Sequence, residues 1–213
     1  MTTWAIVPIK PLNRSKSRLS PILNGEQREA LSRKMLELTL TTLKQVTGIS
    51  GILTISRDNK ALTLARAFKV QTVQESGQPE LNAALARATQ AVMAWNASRI
   101  LILASDIPLM TVADIDGILA LAKRDTKTVV IATDRREEGT NALLVAPPGL
   151  IPYCYGEDSF RKHVAEAAKL GVEAQIFRSP TISLDVDVPE DLAAYRDIIG
   201  QRQSADLAWL SSL

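Results

Sequence analysis

The chain has 213 residues, 46% of them hydrophobic, enough for a sizeable core and most simply one α/β domain across 1–213. Its 25 basic and 23 acidic side chains leave a net charge of +2, too balanced to argue for nucleic acid or a membrane surface as partner. One cysteine, Cys154, excludes an internal disulfide framework. With no secretion signal at residues 1–10 and no apolar run near the roughly 20 residues of a membrane helix, a cytoplasmic protein is expected.

An apolar run at 4–9 predicts the first strand, its length limited by Pro8. The loop K-P-L-N-R-S-K-S-R-L follows, with Lys10, Arg14, Lys16 and Arg18 in nine residues. Residues 26–46 predict a helix with Ala30, Leu31, Met35, Leu38, Leu43 and Val46 on one stripe. Gly48 and Gly51 bracket its end. Next come a strand at 52–55, a helix at 59–68, a strand at 70–73, the polar loop E-S-G-Q-P-E and an Ala-rich helix at 81–95. The run Ile100 to Ala104, short and wholly apolar, predicts a central strand buried on both faces. A helix at 111–123, opened by a Thr111/Asp114 capping box, and a strand at 128–132 complete the regular alternation.

Beyond it the alternation breaks. Residues 134–138 form a charged turn, 141–145 a strand ended by Pro147-Pro148, and 159–170 a helix ending at Gly171. Short strands are predicted at 172–177 and 182–184, then a helix at 189–199 with proline in its first turn. The tail 201–213, with Leu207, Trp209 and Leu210, is expected to be a loosely packed helix or a contact to a partner such as a second copy. Strand, helix, strand at this spacing predicts a Rossmann-like, mostly parallel, twisted sheet with helices on both faces.

Four groups could carry chemistry. Asp106 ends the central strand, at the edge of an α/β sheet where ligands bind. A carboxylate there must be solvated, hydrogen-bonded or metal-bound; it is either a magnesium ligand or a turn cap. The basic loop follows the first strand, where nucleotide-binding folds hold phosphates. It lacks the glycines of a backbone cradle, so its cations would supply the countercharge, unless it is simply a solvated loop. In Asp185-Val-Asp187, a strand would put both carboxylates on one face, about 6.6 Å apart at Cα, suiting a pair of ions or one ion with waters. The competing role for Asp187 is a capping box with Glu190, and Asp191 is expected at the surface. Thr140, in Gly139-Thr140-Asn141, and Ser159, at the head of a helix after Tyr155-Gly156, are either turn and cap residues or anion contacts. His163 is read as structural and Cys154 as inert.

V-P-I-K-P-L-N-R-S-K-S-R-L, L-N-A-A-L, S-D-I-P-L-M, G-T-N-A-L-L, Y-G-x-x-S-F-x-x-H and L-D-V-D-V-P-E-D-L occur in that order along nearly the whole chain. The set resembles the guanylyltransferases acting on 2-phospho-L-lactate or phosphoenolpyruvate in assembly of the deazaflavin coenzyme F-420. That resemblance implies a GT-A-type nucleotidyltransferase fold, similar to molybdenum-cofactor nucleotidyltransferases. It implies Mg2+ on Asp106, Asp185 and Asp187. Lys10, Thr140, Gly156 and Ser159 would surround the phosphorylated three-carbon acid, and Leu81 and Asn82 would lie near the guanine of GTP, with Lys16, Arg18 and Ser105 also on the nucleotide. Two departures stand out: Glu137-Glu138 where the family usually has glycine, and Glu157 where it often has proline. The acceptor phosphate is already anionic at neutral pH, so charge cancellation and in-line alignment matter more than a general base; Lys10, Arg18 and Asp106 are the expected catalytic groups. Other readings are another small phospho-acid such as 3-phosphoglycerate as acceptor, another nucleotidyl- or glycosyltransferase of this fold, and an inactive nucleotide-sensing module.

Overall fold

The computed structural model describes residues 1–77, 80–122 and 127–201. Seven strands, β1 (Thr3–Ile9), β2 (Gly51–Ser56), β3 (Gln71–Gln74), β4 (Arg99–Leu103), β5 (Thr128–Thr133), β6 (Thr140–Ala146) and β7 (Gln175–Phe177), form one sheet in the order β3-β2-β1-β4-β6-β5-β7. Only β6 runs against its neighbours, antiparallel to both β4 and β5. The helices are α1 (Gly25–Gln45), α2 (Asn59–Ala67), α3 (Leu81–Ala94), α4 (Val112–Leu121), α5 (Ser159–Lys169) and α6 (Pro189–Gln201). Among the described residues no helix is long and apolar enough to cross a membrane.

Two-residue alternation along the strands builds the two layers. Ala5, Val7 and Ile9 of β1, with Leu101 and Leu103 of β4, pack with Leu36 and Leu40 of α1, Ala61 of α2 and Ile115 of α4. Ile6, Ile100 and Ile102 face the other way, onto Leu85, Ala88 and Val92 of α3 and Ala167 of α5. Both faces are covered, so β4 reads as a continuous apolar run, as parallel strands between two helical layers do. A third cluster joins Leu31 and Met35 of α1 to Leu192 and Tyr195 of α6 and encloses Leu184 and Val186.

Three expectations change. Residues 182–184 are not a strand: the Ile182 carbonyl accepts from Asn141 Nδ2 and the Ser183 carbonyl from the Arg135 amide, so their acceptors are met singly and no ladder forms. Of the strand expected at 172–177 only Gln175–Phe177 pairs, with β5. The pair Asp185 and Asp187 therefore lies on chain outside the sheet, although Leu184 and Val186, which alternate with them, are buried. Lys123, at the expected end of the fourth helix, and residues 202–213 of the tail lie outside the described residues.

Candidate active site

The carboxyl ends of β1, β2 and β4 share one edge, because Ile9 pairs with Ser56 and Thr3–Ile6 run in register with Arg99–Ile102. A cleft of about 360 Å³ opens there, a size that suits a small ligand. Its polar lining follows the strand order: Glu75 after β3, Arg57 after β2, Lys10 after β1, Ser105 and Asp106 after β4, and Thr140 at the start of antiparallel β6. Four strand spacings separate the first from the last, about 19 Å.

The basic loop is pinned rather than freely solvated. Leu12 and Leu19 are fully buried, and the Leu12 amide donates to Asp58 Oδ2 at 2.8 Å. Lys16 has φ of 56°, a left-handed conformation that costs a side-chain-bearing residue energy and is held only where the surroundings determine it. Here that conformation accompanies an inward-facing ammonium: Lys16 Nζ donates to Asp106 Oδ2 at 2.6 Å and to Asp187 Oδ1 at 2.7 Å, with its side chain 6% exposed. Burial works against this charge, but the two carboxylates outweigh it and hold Lys16 above the ordinary lysine value. Lys10 is exposed and lines the cleft; Arg18 is exposed outside its lining, near enough for its charge to act on Asp187.

Asp106 and the 185–187 segment meet because the Val186 amide donates to the Asp106 carbonyl at 3.0 Å, while Leu184 and Val186 are sunk in the third cluster. Burying side chains of this size contributes about 1.5–3 kcal/mol each, which anchors a segment that has no ladder. Asp187 is pushed up by burial and pulled down further by Lys16, with Lys10 and Arg18 adding, so it stands below the ordinary carboxylate value. Asp185 differs. Burial, then the neighbouring Asp106, Asp187 and Asp134, push its carboxyl up to about 6.

The expected Asp187/Glu190 capping box is displaced by one residue. Asp191 Oδ2 accepts from the amides of Asp187 and Val188, both at 3.1 Å, so the cap is Asp191 reaching back from the third helical position. Asp191 is buried rather than at the surface, and Arg135 pairs with its other oxygen at 3.0 Å. This leaves the Asp187 carboxylate free for Lys16. The Thr111/Asp114 box forms as read.

On the β6 side Thr140, Ser159 and His163 make one buried group: Ser159 Oγ donates to Thr140 Oγ1 at 3.2 Å, and Thr140 Oγ1 lies 3.0 Å from His163 Nδ1. Gly156, with φ of 127°, adopts a conformation that side chains resist. It does not line the cleft wall, and Ser159 stands behind Thr140. The Glu137 charge is met by Arg178 at 3.0 Å. On the β3 side Leu81 lines the cleft. The Asn82 side chain is turned to the protein: Oδ1 accepts the Tyr155 amide at 2.8 Å and Nδ2 donates to the Tyr155 carbonyl at 3.1 Å. Both Glu80 oxygens cap α3, at 2.9 and 2.7 Å from the amides of Asn82 and Ala83. Glu75 is not occupied in this way. Its Oε1 is ion-paired with Arg57 Nε at 3.2 Å, a contact without hydrogen-bond geometry, so neither of these buried atoms has a hydrogen bond. Nothing short of the fold points to it, since Glu75 sits in a stretch that reads only as a polar loop.

Sheet order, edge and cleft define a protein of the nucleotidyltransferase architecture. The fold is similar to a nucleotidyl transferase from Methanothermobacter thermautotrophicus (TM-score 0.67, 17% identity, 95% of this chain and 99% of that one). It is similar also to a protein from Desulfovibrio desulfuricans G20 described as a nucleotide-diphospho-sugar transferase (TM-score 0.79, 16% identity, 100% and 95%). The chain belongs to the guanylyl transferase CofC-like family, whose model matches residues 3–202. It is 34% identical over 203 residues to the phosphoenolpyruvate guanylyltransferase of Conexibacter woesei, spanning 95% of this chain and 91% of the relative. It is 35% identical over 192 residues to the 2-phospho-L-lactate guanylyltransferase of Methanothermobacter thermautotrophicus, spanning 90% and 83%.

Proposed function

We propose that this guanylyltransferase takes GTP and transfers its GMP unit to the phosphate of phosphoenolpyruvate or 2-phospho-L-lactate, releasing pyrophosphate, as a step in coenzyme F-420 assembly. The observation that carries the reading is the charge arrangement at the middle of the cleft: Lys16 buried against Asp106 and Asp187, with Asp185 beside them. Polar groups stand on either side of it at the spacing a nucleotide and a small acid laid end to end would need.

The base would lie on the β2–β3 side, where the Glu75 carboxylate is the acceptor that the N1–H and 2-amino group of guanine require. The polyphosphate would cross the ends of β1 and β4, met by Lys10, Lys16 and Arg18. The acid would sit on the β6 side near Thr140, Gly156 and Ser159. Its phosphate is already an anion at neutral pH, so the protein's task is to hold two polyanions in line and cancel their repulsion.

Magnesium fits this site. Among the described residues no three acidic, histidine or cysteine side chains already stand gathered for an ion, and the Lys16 ammonium occupies the place between Asp106 and Asp187. Yet the three available donors are all carboxylates, the ligand type a hard divalent cation takes, and burial together with the neighbouring Asp106 and Asp187 raises Asp185. Asp106, Asp185 and Asp187 would hold the ion, which when bound supplies positive charge to the phosphates.

Pyrophosphate release from GTP, measured in magnesium with each acid in turn and followed by mass spectrometry of the product, tests the proposal. A guanylylated acid is the expected product; no release with either acid would overturn it.

A further inference from the structure

His163 is the chain's only histidine, is fully buried, and plays no part in the chemistry above. Its two ring nitrogens are both engaged. Nε2 lies 3.0 Å from the amide of Cys154. A backbone N–H can only donate, so Nε2 is the bare nitrogen. Burial keeps the imidazole neutral, pushing it down to about 4 against a weaker upward pull from Glu166. The ring proton is therefore on Nδ1, which donates to Thr140 Oγ1 at 3.0 Å. Tyr155 packs edge-on against the ring, centroids 4.9 Å apart, and fixes its plane.

The consequence is one of proton counting. Thr140 and Ser159 have two hydroxyl protons between them. One is spent on the bond between the two oxygens, at 3.2 Å. Neither can go to the histidine, because Nδ1 is already a donor. One O–H of the pair is thus always uncommitted, and Thr140 is the member that lines the cleft. With the opposite tautomer Thr140 would spend its proton on the ring and offer the cleft only lone pairs, which repel an anion.

We propose that His163 is a positioning residue for the acceptor: by holding its proton on Nδ1 it fixes the Thr140–Ser159 pair as a hydrogen-bond donor to the anionic end of the phosphorylated acid. This rests on the reading that Thr140 and Ser159 hold that acid. The histidine touches neither substrate. Its work is to set which way a hydroxyl points.

Two substitutions separate the two halves of the role. His163→Asn can place an N–H where Nδ1 was, but offers nothing to the Cys154 amide. His163→Gln can place an oxygen near the Cys154 amide, but removes the donor to Thr140. Steady-state kinetics at saturating GTP, with thermal unfolding in parallel, should show the KM for the acid rising about tenfold in His163→Gln, the cost of losing an oriented bond to a charged group. The KM for GTP should not change, and His163→Asn should recover most of the acid affinity despite a lower unfolding temperature. In a Thr140→Val background, itself raised in acid KM, His163→Gln should add nothing further. An unchanged acid KM in His163→Gln, equal effects of the two variants, or an effect of His163→Gln that persists on Thr140→Val would each overturn the proposal. If Thr140→Val alone leaves the acid KM unaltered while turnover persists, the placement of the acid is what fails, and the role of His163 falls with it.

Discussion

The buried His163 and the half-buried Asp185 should give this protein opposing responses to acid, and one substitution should expose each. His163 stands at about 4 in the folded chain against an ordinary 6.5; Asp185 stands at about 6 against 3.8. The imidazole binds its proton more readily when unfolded, so as pH falls through 6.5 toward 4 it withdraws stability. The carboxyl binds its proton more readily when folded, so as pH falls through 6 toward 3.8 it adds stability. Integrated between pH 7 and pH 5, the histidine removes about 2 kcal/mol and the aspartate returns about 1 kcal/mol. Asp114 and Asp187, both held below 3.8, lose their contributions only at lower pH. Urea unfolding in EDTA at the two pH values is the assay. The native chain should lose about 1 kcal/mol or less, Asp185→Asn about 2 kcal/mol, while His163→Gln should gain about 1 kcal/mol. Magnesium, by keeping Asp185 ionised, should move the native chain toward the Asp185→Asn behaviour. If Asp185→Asn is no more acid-sensitive than the native chain, and His163→Gln no less, the burial of these two groups in the stated protonation states is refuted.

Three further outcomes follow from the same cleft. Asp106→Ala should lower pyrophosphate release about a thousandfold, as loss of a metal-holding or phosphate-orienting group does; turnover that survives it would remove Asp106 from the site. Lys16→Met leaves Asp106 and Asp187 facing each other. Because Asp187 still reaches water, the cost to folding should be about 1–3 kcal/mol, less than for a sealed ion pair, and added magnesium should restore part of it in thermal unfolding; a midpoint indifferent to magnesium would argue against a cation at that position. Glu75→Gln should raise the KM for GTP about tenfold and shrink the preference for GTP over ITP, which lacks the 2-amino group. Equal GTP-to-ITP ratios in the native and substituted proteins would place guanine elsewhere.

What could be read from the chain and what could not divides along a physical line. The strands and helices were legible because their signals are local. Ile100 to Leu103 is apolar on both faces because both faces are covered, and the Thr111/Asp114 box closes within one turn. The position of Asp106 at the sheet edge followed from the strand alone. The break in alternation after β5 corresponds to the one antiparallel strand, β6. The failures all depend on partners distant in sequence. Asp185 and Asp187 look like strand residues because they alternate with apolar neighbours, but that alternation serves a cluster built by α1 and α6 rather than a ladder. Three acidic residues, Asp187, Glu190 and Asp191, stand where they could cap the last helix, and spacing cannot say which turns back; Asp191 does so, while Asp187 pairs with Lys16, 171 positions earlier. Asn82, from its motif alone, would face the base, yet its carboxamide is closed on the backbone of Tyr155, 73 residues on. That bond ties the start of α3 to the loop before α5. The β3 and β6 sides of the cleft are thereby joined across its length, so on the proposed placement of the two substrates their separation is set by the protein before either arrives.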